Sequence, residues 1–272
     1  MRDLVVGVAL LLVGALVMLF FQPLIEVKSQ NAVTQDQNSK LATQKPLRPQ
    51  VIYDFDDTES AIYVFSRPLD AKTRSLVLQA RLPDARSLLT KYDPVQIAAP
   101  PLNVRGPKSM GRSRLRISLE GNRVKPVLIQ KITARIVKRL PPLSGGLVGT
   151  GPQGGDAVPK VQFNLDSSDL EARITKDDGT AGPHYINEHY SFLEFGEPMV
   201  MIVNAYTARC YCEWVIDMTV RSDGKVEKQT IDDNGRPFRT SAFARKYESE
   251  FWWAHMPNKG FEQKESHPSS QR

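Results

Sequence analysis

The sequence predicts a mainly β protein: one N-terminal transmembrane helix, a polar linker, an antiparallel β-sandwich and a short C-terminal helix. The sandwich is either one body or two packed β halves. Three observations predict this. Residues Leu4 to Phe21 are apolar without a break. Residues 26–50 are polar and carry few large apolar side chains. Beyond Val51, short runs of β-branched and aromatic residues alternate with polar ones and are divided by Pro, Gly and Asp. The expected organisation is an anchor at 1–25, a flexible linker at 26–50, a β domain at 51–256 with a seam at 141–160, and a disordered tail at 257–272.

The anchor segment, LVVGVALLLVGALVMLFF, has no charge and no proline, and thirteen of its residues are Leu, Val or Phe. As a helix it rises about 27 Å, close to the hydrocarbon thickness of a bilayer. Insertion of these thirteen side chains gains roughly 4 to 8 kcal/mol. A cleaved secretory signal is the competing reading. The exit Met18-Leu19-Phe20-Phe21 is bulky where a signal peptidase needs small residues, and no cysteine follows to accept a lipid. The positive-inside rule separates the two ends weakly, with Arg2 before the span and Lys28 and Lys40 after it. The layout is that of a signal anchor, which places the large domain outside the cytoplasm. The linker EVKSQNAVTQDQNSKLATQKPLRPQ cannot bury enough surface to offset its ordering entropy.

In the first β half, strands are expected near Val51–Phe55, Ala61–Ser66, Ser75–Leu82, Arg112–Leu119 and Val127–Lys138. Asp54 and Asp56 share a face, but no further oxygen-ligand pattern follows to make a calcium site. In the fourth strand Arg112, Arg114, Arg116 and Ser118 point one way, and Ser113, Leu115, Ile117 and Leu119 the other. In the next strand Lys131 and Arg135 lie opposite Ile132, Ala134 and Ile136. Between Arg105 and Arg139 there are eleven Lys or Arg and one acid, Glu120. The residues Arg112, Arg114, Arg116, Lys131 and Arg135 therefore define an expected anion-binding face. Its partners would be an anionic envelope polymer or lipid surface. A solvated outer face is the plain alternative, and nucleic acid fits less well because aromatic interleaving is missing.

Residues 149–154 spell G-x-G-x-x-G, yet Pro152 interrupts the motif and the next periodic segment is a strand. A dinucleotide fingerprint needs a helix there. Strands then follow at Val161–Leu165, Leu170–Ile174, Tyr190–Phe195 and Met199–Thr207. His184, Glu188 and His189 form the one local cluster with a metal-like composition, but their spacing matches no zinc motif. They read as turn residues.

From Ala208 to Arg221, Cys210, Cys212, Trp214, Ile216, Met218 and Val220 share one face, as in a half-buried strand with a core tryptophan. Asp223-Gly224 marks a hairpin to Lys225–Ile231, and Asp233-Asn234-Gly235 a second turn. Cysteines two apart on a flat strand sit wide of disulfide geometry, and a bulge would close the gap. Cys210 and Cys212 are thus two buried thiols, a bulge disulfide or a redox pair. Phe243, Tyr247 and Phe251 recur every four residues, which predicts a short amphipathic helix within Ser241–Ala254.

The run CYCEWVIDMTVRSDGKVEKQTIDDNGRPFRTS resembles the C-terminal part of uncharacterised single-pass membrane proteins of actinobacteria, which pair an N-terminal anchor with a β-rich Cys-x-Cys-x-Trp domain and a later Gly-x-Pro-Phe. RISLEGNRVKPVLIQKITARIVKRLPPLSG is similar to their middle region. The resemblance implies the anchor and the β fold, and no activity.

Composition adds a net charge of +6 and a pI near 9.3. Two cysteines exclude a disulfide framework or an all-cysteine zinc site. No Gly-x-Ser-x-Gly, P-loop or credible metal spacing occurs. The expected role is therefore binding or structure in the cell envelope, with no cofactor. Two alternatives stand beside it: an envelope hydrolase or transferase with a non-local site near His184, Glu188 and His189, and a cytoplasm-facing binder of nucleic acid or anionic lipid.

Overall fold

A computed structural model describes residues 39–53, 62–80, 89, 92–98, 107–149, 160–176, 179–189, 191–254 and 260–264. The anchor at 1–25, the Asp54/Asp56 pair and most of the G-x-G-x-x-G segment lie outside these residues. Among the described residues no helix is long and apolar enough to cross a membrane.

The chain is mainly β, with three packed sheets. The first runs β1 (Leu47–Tyr53), β4 (Gly111–Gly121), β11 (Pro198–Thr207), β7 (Lys160–Asn164), β8 (Arg173–Thr175) and β9 (Ala181–His184). The second runs β10 (Ser191–Leu193), β5 (Val127–Leu140), β12 (Tyr211–Ser222) and β13 (Lys225–Ile231), with β14 (Phe238–Ser241) also on β12. These two face each other across one core. Leu115, Ile117 and Leu119 of β4 and Met201, Val203 and Ala205 of β11 meet Ile132 and Ala134 of β5 and Trp214, Ile216, Met218 and Val220 of β12. The period-2 pattern in each strand dictates this, because one face of every strand is apolar. Trp214 is fully buried between Phe163 and Phe238, with ring centroids 5.8 and 5.0 Å away, and its Nε1 donates to Thr240 Oγ1 at 3.0 Å. Asp223 and Gly224, with φ of 51° and 76°, make the expected tight hairpin.

The third sheet is smaller: β16 (Phe261–Lys264), β15 (Glu250–Trp253), β6 (Gly146–Gly149), β2 (Ile62–Phe65) and β3 (Val95–Ile97). Both its faces are covered. Tyr63, Phe65 and Phe251 pack with Val77 of α1 (Ala71–Gln79), while Ile62, Val64 and Ile97 pack with Tyr211 and Tyr247 of the main body.

Five expectations are corrected. Residues 75–79, expected in a strand, belong to α1. Asp70 caps that helix, its Oδ1 accepting from Thr73 N at 2.8 Å, as a good N-cap residue does. The C-terminal helix is instead strand β15, which pairs parallel with β6. Phe261–Lys264, assigned to the disordered tail, forms β16 with Phe261 buried. The linker ends earlier than residue 50: residues 39–43 are helical and Leu47 opens β1, paired with Gly121. Finally, no seam divides two β halves. β4 pairs with β11 and β5 with β12, so both large sheets mix strands from either side of residues 141–160, and Gly146–Gly149 is itself a strand.

Candidate functional site

The expected basic face divides. Arg112 and Arg114 do lie opposite the core side of β4, as the alternation requires, but both are buried, at 4% and 1% exposure. Their strand neighbours Ile202, Asn204 and Tyr206 on β11 are buried too, and Arg112 Nη1 donates to Asn204 Oδ1 at 3.2 Å. This part is an inner layer and not a solvent face. Arg116 is half-buried. Lys131 and Arg135 stand on the outer face of the second sheet, each beside an acid from the second half of the chain. Lys131 Nζ is 3.2 Å from Glu171 Oε2, and Arg135 Nε donates to Asp217 Oδ2 at 2.6 Å. Asp217 also accepts from Thr230 Oγ1 at 2.8 Å. Burial works to raise its pKa, and the bonds from Arg135 and Thr230 more than reverse that, so the carboxyl sits below its ordinary value. The five residues do not converge on one surface: the cations dense in sequence meet acids that the fold brings from elsewhere.

Cys210 and Cys212 form a disulfide with Cα atoms 5.9 Å apart. It lies at the connection from β11 to β12, with Cys212 wholly buried. A register shift between Glu213 and Trp214, with Val137 of β5 left out of the ladder, interrupts the β5–β12 pairing just beyond the cysteines. Asp166 braces the same turn, accepting from Thr207 Oγ1 at 2.9 Å and from Ala208 N at 2.7 Å.

His184 and His189 flank the single helical turn α2 (Tyr185–Glu188), and Glu188 is its last residue. His184 Nε2 is 3.0 Å from Asp169 Oδ2, which also accepts from Arg173 Nη2 at 2.6 Å. These bonds, His184 first, hold the Asp169 carboxyl well below the usual range. The His189 ring packs instead on Tyr185, 4.8 Å between centroids. Among the described residues no group of three or more His, Cys, Asp or Glu could hold a metal ion.

A site that sequence reasoning missed opens where the third sheet meets the main body. Tyr53 at the end of β1, Tyr63 of β2, Asp93 to Gln96 leading into β3, and Arg236 and Arg239 around the start of β14 line a cavity of about 270 Å³. Arg239 grips Asp93 with two parallel bonds of 2.8 Å and reaches Pro94 O at 3.3 Å. Asp93 holds a left-handed φ of 50° in this grip. Burial pushes the Tyr53 phenol up to about 12, and Asp233 adds to that shift while Arg239 and Arg236 oppose it. A second hollow of about 470 Å³, lined by Phe65 to Asp70 and Tyr92, adjoins through Asp93. Arg239 is matched by Asp93, and the largely exposed Arg236 is held loosely by Asp233 at 3.4 Å, so the first cavity is near charge balance with one guanidinium at its open side. Beside them stand neutral phenols, an amide and a carboxylate, so hydrogen-bond donors and acceptors are mixed. No local motif announces it, because Tyr53, Asp93 and Arg239 are far apart in the chain.

Comparison with known protein families, with curated proteins and with solved structures found no match.

Proposed function

We propose that this chain is a single-pass membrane-anchored β-sandwich protein whose bulk lies outside the cytoplasm, and that it binds a component of the cell envelope. The observation that carries the binding role is the cleft of Tyr53, Tyr63, Asp93, Arg236 and Arg239. Its mixed donors and acceptors and the exposed Arg236 guanidinium, held only loosely by Asp233 at 3.4 Å, suit an anionic, hydroxyl-rich polymer. The anionic partner expected from the sequence is therefore moved from the Arg112–Arg116 strand to this cleft. The Cys210–Cys212 disulfide supports the compartment, since disulfides persist mainly in oxidising surroundings. The apolar run Leu4 to Phe21 supports the anchor.

The test is calorimetric titration of the full chain in detergent micelles with a uronic-acid polymer and with a neutral polysaccharide. Binding favours the acidic polymer, and Arg236→Ala weakens it about tenfold, as loss of a charged hydrogen bond does. Equal binding of the two polymers, or no effect of Arg236→Ala together with Tyr53→Phe, sinks the reading.

A further inference from the structure

At the opposite end of β13 from the Asp233-Asn234-Gly235 turn, three pieces of chain come together. The segment 39–48 enters the fold there. Arg123 Nη1 donates to Leu41 O at 2.5 Å, Asn122 Nδ2 to Lys45 O at 2.9 Å, and Arg48 Nη2 to Asn122 Oδ1 at 2.7 Å. The turn at 122–126 joins β4 to β5, and the Asp223-Gly224 hairpin joins β12 to β13. Ser222 Oγ donates to Lys125 O at 3.1 Å, tying one turn to the other. Between them lies a cavity of about 240 Å³ lined by Ala42, Arg123, Val124, Lys125, Lys225 and Glu227 among others.

Two features of this end ask for a partner. Val124 is 53% exposed and Val226 is 60% exposed, each beside a lysine at a turn. Seven cations, Lys40, Lys45, Arg48, Arg123, Lys125, Arg221 and Lys225, lie at this end with five carboxylates, Glu120, Glu194, Glu197, Asp223 and Glu227. Apolar tips set in a basic rim suit a surface that is anionic outside and hydrocarbon beneath. The chain supplies the location. Seventeen residues separate Phe21 from Ser39, and even fully extended they reach at most about 60 Å. The end of the body that receives them therefore lies within about 60 Å of a bilayer that holds Leu4 to Phe21.

We propose that this end docks on an anionic phospholipid bilayer, with Val124 and Val226 entering the headgroup layer and the exposed Lys125 and Lys225 meeting lipid phosphates. The inference rests on the anchored reading above for its proximity, and it adds an orientation. β13 then stands away from the membrane and the Arg236/Arg239 cleft faces outward, since Arg236 follows the far turn of that strand. Two excess charges near an anionic surface favour the docked state about thirtyfold, an advantage that salt screens.

The test uses the full chain reconstituted in vesicles of phosphatidylcholine alone or with added phosphatidylglycerol. An environment-sensitive thiol fluorophore is placed at Val226→Cys, with Asn234→Cys at the far turn as control; Cys210 and Cys212 are paired and take no label. The expected result is a blue-shifted, lipid-quenchable signal at Val226→Cys only in anionic vesicles, lost at high salt, and no change at Asn234→Cys. Adding Lys225→Glu abolishes the signal, and the milder Lys225→Gln reduces it if the reversal disturbs the hairpin. An aqueous signal at Val226→Cys in a carbonate-resistant chain overturns docking and leaves the anchor standing. A carbonate-extractable chain that still gives the anionic, salt-sensitive signal removes the anchor and leaves docking standing. The same spectral shift produced by inorganic phosphate or by duplex DNA without lipid overturns the lipid assignment.

Discussion

Gln229 holds the first strand to the body from the far side of the chain, and its removal has a calculable cost. Its Nε2 donates to Leu47 O at 2.8 Å, and its Oε1 accepts from Leu47 N at 3.0 Å. Both residues are buried, at 4% and 1% exposure. Gln229→Leu keeps the volume and removes both partners. Each buried main-chain group left without a bond costs about 1–3 kcal/mol. Part of that is offset by the apolar surface the leucine buries, about 1–2 kcal/mol. The net loss is about 1–4 kcal/mol, which for a body of roughly 200 residues lowers the melting temperature by about 2–16 °C. Thermal unfolding by circular dichroism measures the global change. Hydrogen exchange of the Leu47 amide reports the local one, and it accelerates more than amides in the middle of β12. A variant within about 0.5 kcal/mol of the parent, with Leu47 exchange unchanged, refutes the claim that residues 47–50 belong to the folded body.

Three further outcomes are expected. Trp214→Ala empties the centre of the main core and costs about 3–5 kcal/mol in urea unfolding, with loss of the Phe163 and Phe238 contacts; a cost below 1 kcal/mol contradicts the packing. Asp169 and Asp217 have depressed pKa values in the fold, so each contributes stability above its unfolded pKa that is lost as pH falls through the folded one. Unfolding below about pH 4 is therefore less steep for Asp169→Asn than for the parent, and superimposable acid limbs count against the His184–Asp169–Arg173 cluster. Tyr53 and Tyr247 are raised to about 12, chiefly by burial, so they favour the fold below pH 10 and that contribution disappears as pH rises toward 12. The share of tyrosinate absorbance due to these two rises late and together with unfolding; complete titration of all eight tyrosines near pH 10 contradicts their burial.

The strands that carry the main core were legible because their alternation is local. β4, β12 and β13 fall where Leu115, Trp214 and Ile231 place them, and Asp223-Gly224 announces its own turn. The errors have a common cause in contacts remote in sequence. Leu47 is one apolar residue in a polar run, and its partner Gln229 is 182 residues away. Phe243, Tyr247 and Phe251 keep a helical spacing, but Phe251 lies in β15, which pairs with β6, and packs on one side of the third sheet, while Tyr247, in the irregular chain before it, packs on the other. α1 buries only Thr73 and Val77, too few for a periodic signal, although the Asp70 cap was there to be read. The parity of Arg112 and Arg114 was right and their exposure was not, because alternation names the faces of a strand without saying what covers each. The cleft at Arg239 was illegible for the same reason: five elements meet there, and none carries a motif alone.

The central claim, a β body held outside the cytoplasm by its N-terminal segment, is tested most directly by applying a membrane-impermeant amine reagent to intact cells. Lys131, with its side chain 53% exposed on the outer face of the second sheet, is a suitable target. The account predicts that it is modified before lysis and that the modified chain stays with the membrane fraction. Lysines that react only after the cells are broken, or a modified chain recovered in the medium, contradict it.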